Sequence, residues 1–165
     1  MSLDSVQQWS FDIGTQSSGG WSQTATALAK QVADERRNLD QTVTFGEKRA
    51  TVLTELIEVF ADAGNEGWDG YDAAPVTPET YMNAYEVVES LPRGIPVPAV
   101  GAEPDGQLTF EWYSNPRRLL SVSVTPDGDL HYAALIGGSK AFGTEPFFGT
   151  MPRRILELVQ RVTRR

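Results

Sequence analysis

The feature that most constrains the fold is a change in the spacing of apolar residues at Pro92. Before it, apolar residues recur at positions i, i+3, i+4 and i+7, which is typical of helices buried along one side. After it, apolar and polar residues alternate, as in Leu108, Phe110 and Trp112, which is the pattern of half-buried strands. Because helices and strands are segregated along the chain, the sequence predicts the α+β class.

Three helices are predicted in the N-terminal half. The first, Ser22 to Leu39, has a thin apolar stripe and is expected at the periphery. An extended link over residues 42–45, ended by Gly46, is predicted to separate it from the second helix. The second helix carries on one face Leu53, Leu56, Ile57 and Phe60. The third has Thr77 as its N-cap and Pro78 at its first position.

The C-terminal half predicts an antiparallel meander of three to four strands. Its alternating segments lie between Leu108 and Ile136, and the tripeptide Pro-Asp-Gly occurs at residues 104–106 and 126–128. Proline suits the second position of a type I turn and glycine supplies the left-handed residue that closes a hairpin. Residues 95–100 predict at most an edge strand, and residues 143–149 an edge strand or a loop.

A C-terminal helix is predicted from Thr150 to Arg165, packed on one face of the sheet. Its apolar side carries Ile155, Leu158, Val159 and Val162. The opposite face of the sheet is expected to be partly hydrated, since alternation assigns to it Glu111, Ser121, Ser123 and His131.

The chain is acidic, with 14 Lys and Arg against 22 Asp and Glu and a net charge of −8. Such a surface repels phosphate backbones, so nucleic-acid binding is not expected, whereas a basic protein partner is favoured. The absence of cysteine excludes disulfides, thiol catalysis and Cys-ligated zinc. No apolar run is long enough for a membrane span and no secretory signal is recognisable, so a cytoplasmic location is predicted.

Residues 1–22 are rich in Gln, Ser and Gly and predict a polar arm that precedes a single domain over residues 23–165. Trp9 and Trp21 are unusual in a solvated linker. We therefore expect the arm either to pack on its own domain or to dock on a partner or a second copy, which would give a homodimer.

The densest group of candidate contact residues lies in the connection between the two halves, at Trp68, Asp69, Tyr71 and Asp72. Aspartate beside glycine in a tight connection usually accepts backbone hydrogen bonds and holds the turn. The alternative is that Asp69 and Asp72 combine with Glu145 as oxygen ligands or as an acid–base pair. Trp68, Tyr71 and Phe147 would then supply the apolar walls of a pocket.

Patterns that carry known chemistry are weak. His131 is the only histidine, which excludes a His-pair metal site. A calcium-loop alignment over residues 62–73 fails, because Gly64 and Ala73 stand where acids are needed. Glycine-rich phosphate-loop motifs are missing as well. The sequence therefore predicts no catalytic residue, no metal and no cofactor.

Four blocks of the sequence, WDGYDAAPVTPET, PDGQLTFEW, SVSVTPDGDLHYAAL and GTEPF, resemble those of an uncharacterised bacterial protein family. The resemblance extends over about residues 66–160 and implies an α+β unit with a β-meander. It implies no catalytic residues.

These observations predict a non-enzymatic, acidic protein-interaction module, with antitoxin-like, immunity-like or accessory roles as candidates. The alternative is a small ligand-binding or hydrolytic domain, with its pocket between the WDGYD and GTEPF segments.

Overall fold

The computed structural model describes residues 23–164, which fall into two units that divide between Arg37 and Asn38. The predicted arm, with Trp9 and Trp21, lies outside the described residues. The described residues confirm the α+β class. Their elements in chain order are α1 (Gln23–Asp62), α2 (Pro78–Glu89), β1 (Ala99–Ala102), β2 (Leu108–Asn115), β3 (Arg118–Val124), β4 (Asp129–Ile136), β5 (Ser139–Pro146) and α3 (Arg153–Thr163).

The predicted break between the first two helices is wrong, because α1 continues through residues 42–46. Threonine in a helix can direct its hydroxyl at the carbonyl four residues earlier, which satisfies the side chain without ending the helix. Thr42 donates in this way to Asn38 O (2.7 Å) and Thr44 donates to Asp40 O (2.8 Å). Gly46 lowers helix propensity by about 1 kcal/mol relative to alanine, which the neighbouring turns outweigh.

The buried face of α1 is also shifted from the predicted stripe. Val52 and Leu56 are buried in the core, as is Ala63 just after the helix, whereas the predicted core residue Ile57 is 54% exposed. Leu53 and Phe60 pack on the core only partly. A stripe centred on Val52 and Leu56 explains this, since residues four apart lie on one side of a helix.

Helix α2 begins as predicted. Thr77 is extended and its hydroxyl oxygen accepts a hydrogen bond from Thr80 N (3.2 Å), and Pro78 occupies the first helical turn. Two α2 residues, Ala84 and Val88, are fully buried. The apolar face predicted for α3 is confirmed. Its four residues are completely buried, namely Ile155, Leu158, Val159 and Val162.

The sheet has five strands in the order β1-β2-β3-β4-β5, all antiparallel, so the predicted count of three to four is too low. Strand β1 starts directly after Pro98, because prolines lack the N–H that a ladder requires. Strand β5 forms because Gly137 and Gly138 close a two-residue hairpin that pairs Ile136 with Ser139.

Both Pro-Asp-Gly turns close hairpins as predicted. Gly106 and Gly128 have φ values of 84° and 86°, the left-handed region that glycine adopts without strain. In the first turn, Gly106 N donates to Glu103 O at 2.9 Å, and in the second, Gly128 N donates to Thr125 O at 3.1 Å. The two turns lie at the same end of the sheet, because Leu108 after the first is paired with Val124 before the second.

Alternation separates the two faces of the sheet. The face toward the helices carries the buried residues Leu108, Phe110, Trp112, Leu120, Val122, Val124 and Leu130. The other face carries Glu111 opposite Ser121 and Ser123 opposite His131, and its polar character is as predicted. Phe142 on the same face is 80% exposed. Among the described residues, no helix is long and apolar enough to cross a bilayer.

The edge strand β5 is covered at one point by an aromatic ring. Gly143 is paired with Tyr132 of β4, and a Cβ added at Gly143 would lie 2.7 Å from the Tyr132 hydroxyl and 3.0 Å from its Cζ. The absence of a side chain at Gly143 therefore lets the ring lie across the strand, an arrangement that stabilises glycine in edge strands.

We predict that Gly143→Ala destabilises the fold by about 1–3 kcal/mol, because the methyl group displaces the Tyr132 ring. Gly101→Ala in the other edge strand is the control, since a Cβ there meets nothing within 4 Å. The control is expected to be neutral or slightly stabilising. Urea unfolding of both variants measures the difference, and equal stabilities would contradict the proposed role of Tyr132.

Candidate functional site

The connection between α1 and α2 is held by its own backbone and side chains. Gly67 N donates to Ala73 O (2.9 Å), and the Trp68 indole Nε1 donates to Ala74 O (3.1 Å). Asp69 Oδ1 accepts from Tyr71 N (2.8 Å), which is an Asx turn. Asp69 therefore has the turn-holding geometry that the sequence suggested, and Trp68 packs partly on the core.

This connection is fastened to the first hairpin turn. Ala74 N donates to Pro104 O at 2.8 Å, and Val76 N donates to Ala63 O at 2.9 Å. A Cβ at Gly106 would lie 2.9 Å from Pro75 O, so the turn and the connection are in direct backbone contact. The candidate residues 68–72 are thus fixed beside the β1–β2 turn.

The GTEPF segment lies beside the second hairpin turn. Glu145 is half-buried and pairs with Leu130, and Phe147 N donates to Gly128 O at 3.1 Å. Phe147 packs partly on the core. The following residue, Phe148, is 86% exposed. The sequence named Phe147 as a candidate pocket wall and did not single out Phe148, although the next residue, Gly149, is a signal for a turn in the chain.

Both candidate segments therefore lie at the same end of the sheet, but the β3–β4 turn stands between them. Strands β2 and β5 are three places apart in the sheet, which corresponds to roughly 14 Å. Asn83 of α2 holds the intervening turn, since its Nδ2 donates to Thr125 O (3.1 Å) and Pro126 O (3.0 Å). The segments are neighbours across this turn rather than the two walls of a narrow slot.

We name this end of the sheet the acidic end. Its carboxylates come from the α1–α2 connection, the two hairpin turns and the end of β5, namely Glu66, Asp69, Asp72, Glu103, Asp105, Asp127, Asp129 and Glu145. The ion pairs among the described residues are Asp34–Arg37, Arg49–Glu89 and Arg153–Glu157, so none of these carboxylates has a cationic partner there. Uncompensated carboxylates make the local electrostatic potential more negative.

Some of these carboxylates have structural partners and others are free for contacts. Asp105 accepts hydrogen bonds from the backbone and side chain of Gln107, and Glu103 accepts from Thr109 Oγ1 (2.9 Å). Asp72 and Asp127 are exposed to solvent. Together with the exposed Glu66, these two acids are accessible to a binding partner.

Two exposed aromatic side chains flank the acidic end. Tyr71 is 83% exposed beside the first turn, and Phe148 is 86% exposed beyond the end of β5. Large aromatic side chains in contact with water have an unfavourable hydration that binding relieves. Tyr71 was among the candidates from sequence, whereas Phe148 was missed.

The opposite end of the sheet is basic. It carries Arg117, Arg118, Lys140, Arg161 and Arg164. The C-terminal turn of α3 is fixed there, because Ser114 Oγ donates to Val162 O (2.9 Å) and Arg118 Nη1 donates to Arg164 O (2.6 Å). The sequence shows these arginines as scattered pairs, and only the strand register together with the packing of α3 brings them to one end.

The single histidine has no catalytic arrangement around it. His131 is exposed on the open face, and its Nδ1 lies 3.5 Å from Thr144 Oγ1, which is at the limit of a hydrogen bond. Over the described range 23–164, no three His, Asp or Glu residues are grouped to hold a metal ion.

No protein-family model, curated protein or solved structure matches the chain. The geometry and charge of its own residues are therefore the basis for inferring its function.

We predict that Gly106→Ala destabilises the protein by about 2–4 kcal/mol, because it combines a left-handed backbone with a clash against Pro75 O. Gly70→Ala is the matched control, since Gly70 has the same φ of 84° but open space around its Cβ position. The control is expected to cost only about 1–2 kcal/mol of backbone strain. Chemical denaturation distinguishes the two, and equal losses would show that the connection does not depend on close contact with the turn.

Proposed function

We propose that the protein is a non-enzymatic interaction module that binds a basic protein through its acidic end. The observation that carries this proposal is the gathering of carboxylates from separate connections at one end of the sheet, without cationic partners among the described residues. Two exposed aromatics, Tyr71 and Phe148, flank them.

The carboxylates, the exposed aromatic side chains and the basic end each have a distinct physical role in binding. Uncompensated carboxylates attract a basic surface over distances of about 10 Å at moderate salt and accelerate encounter. Aromatic side chains then supply the buried contact area that dominates the affinity of many interfaces. The opposite, basic end orients the molecule in the field of the partner, so that the acidic end approaches first.

A ligand-binding or hydrolytic site between the WDGYD and GTEPF segments has less support. Such a site would use Asp69 as a free polar group, but Asp69 Oδ1 already accepts a hydrogen bond from Tyr71 N. The β3–β4 turn also separates Asp69 from Glu145, since Phe147 is bonded to that turn at Gly128. Two carboxylates separated by this turn are too far apart to share a proton, so Asp69 and Glu145 would not act as an acid–base pair.

Membership in the uncharacterised bacterial family remains our proposal from the four sequence blocks. The WDGYD and GTEPF blocks and both Pro-Asp-Gly turns contribute residues to the acidic end. If the family shares these residues, it shares this surface. Antitoxin-like, immunity-like and accessory roles all require such a protein-binding surface, and the identity of the partner would distinguish them. The predicted cytoplasmic setting and a homodimer made by residues 1–22 belong to the same proposal.

The first test is charge reversal at the exposed acids. Partners are captured on the tagged full chain, purified, and measured individually by isothermal titration calorimetry. Asp72→Lys combined with Asp127→Lys is expected to weaken binding of a basic partner by at least about tenfold and to reduce its salt dependence. Glu58→Lys combined with Glu86→Lys is the control, because it makes the same change in net charge at exposed helical positions. Equal losses in both variants would indicate a general charge effect and contradict the proposal.

The second test removes the aromatic anchors. Tyr71→Ala and Phe148→Ala are each expected to cost about 1–2 kcal/mol of binding free energy with little change in stability, since both side chains are largely exposed. Tyr113→Ala, a 59% exposed tyrosine on the open face of the sheet, is the matched control. Loss of affinity with the control alone would place the interface on the open face instead of the acidic end.

A further inference from the structure

A cleft in the Asn38–Arg165 unit lies between α1 and the connection from α2 to β1. Its volume is about 770 Å³. One wall is formed by α1 at Asn38, Asp40, Thr42, Thr44, Phe45 and Lys48, and the other by residues 93–96. Sites for organic ligands usually measure about 300–1,000 Å³. The cleft therefore has the volume of an organic-ligand site and is larger than a simple inorganic ion requires.

We propose that this cleft binds a small organic anion, with an oxyanion group held by Lys48 and Arg93 and an apolar part resting on Phe45, Ile95 and Pro96. The site involves none of the residues of the acidic end, so it is independent of the function proposed above.

The charge of the cleft is opposite to that of the protein as a whole. The protein has a net charge of −8, yet the cleft wall carries two cations, Lys48 and Arg93, and one acid, Asp40. Neither cation forms an ion pair with any residue in the described range. Asp40 and Lys48 are eight residues apart on α1, about 12 Å along its axis, so Asp40 does not neutralise the Lys48 end of the cleft.

Arg93 is oriented toward the α1 wall. The Thr42 hydroxyl uses its proton to bond Asn38 O at 2.7 Å, so its oxygen is left as an acceptor. Arg93 Nη1 lies 3.5 Å from that oxygen, a weak contact that directs the guanidinium into the cleft. A guanidinium retains further N–H donors for a carboxylate or phosphate.

Arg49 holds the apolar wall in place through its contact with the Phe45 ring. Its guanidinium lies over the Phe45 ring, 4.6 Å from the centroid, and its Nη2 donates to Leu91 O at 3.0 Å. Glu89 is 3.6 Å from Arg49 Nη1, while the buried Nε has no hydrogen-bond partner. This arrangement holds the Phe45 ring against Arg49, which is itself bonded to the segment that follows α2.

The ligand class follows from these two walls. The cations need a carboxylate or phosphate, and the ring of Phe45 together with Ile95 and Pro96 needs an apolar, preferably planar, group next to that anion. An aromatic carboxylate and an aromatic phosphate share this chemistry. Their relative affinities identify which of the two the cleft prefers.

The test uses phenylacetate and phenyl phosphate as anionic probes and 2-phenylethanol as the neutral probe. Binding to the full chain is measured by calorimetry, and the amide signals of Gly94 and Phe45 are followed by ¹⁵N NMR. We expect at least one anionic probe to bind with a dissociation constant below about 1 mM and to shift both signals, with no response to the neutral probe.

The matched variants remove two charges each. Lys48→Gln combined with Arg93→Gln is expected to weaken anion binding by at least about tenfold, because both oxyanion contacts are lost. Arg117→Gln combined with Lys140→Gln makes the same change in net charge at exposed positions in the β2–β3 turn and in β5, and is expected to leave the affinity within about twofold. All four side chains are exposed, and circular dichroism verifies that the variants fold.

Two results would overturn the proposal: no binding of either anionic probe up to about 10 mM, or equal affinities for the wild type and the Lys48/Arg93 variant. Failure of this site would leave the acidic end untouched, because calorimetry with a basic protein partner reports on that surface separately.

Discussion

The buried face of the meander is the constraint on which the other features depend. A cross-strand row of Val100, Phe110, Val122 and Tyr132 runs through its centre, with each residue paired to the next. Phe110 and Val122 are completely buried beneath the helices. Because side chains alternate along a strand, fixing this row fixes the direction of every other side chain in the sheet. A slip of one residue in any strand would put polar groups into the core.

The same register determines where charge accumulates. Each turn of a meander lies at one of two ends, and both Pro-Asp-Gly turns lie at the same end because one strand pair connects them. The α1–α2 connection is bonded to the first of these turns through Ala74 and Pro104. Acidic residues distant in sequence thereby become neighbours, while the arginines near Arg117 and Arg164 gather at the other end. The charge asymmetry is a consequence of strand pairing rather than of any local segment.

Local signals in the sequence predicted the elements that depend on a few adjacent residues. Thr77 and Pro78 begin α2 because the cap needs only the next turn of helix. Gly106 and Gly128 close the hairpins because a left-handed residue is needed wherever such a turn occurs. The turn-holding interpretation of Asp69 also relies on its immediate neighbours, and the hydrogen bond to Tyr71 N agrees with it. The predictions failed at residues 42–46, where threonines were interpreted as extended but are compatible with a helix.

The sequence by itself determined the α+β class, the Pro-Asp-Gly turns, the cap of α2 and an acidic balance of charge, since each is a sum of local preferences or a simple count. Only the tertiary structure decided that β5 completes the sheet, that Phe148 rather than Phe147 is exposed, and that Lys48 and Arg93 face one cleft. Lys48 and Arg93 are far apart in the sequence, and both line the same cleft only because α1 packs beside the segment that follows α2. Packing of this kind has no local signature, because it is set by the whole buried core.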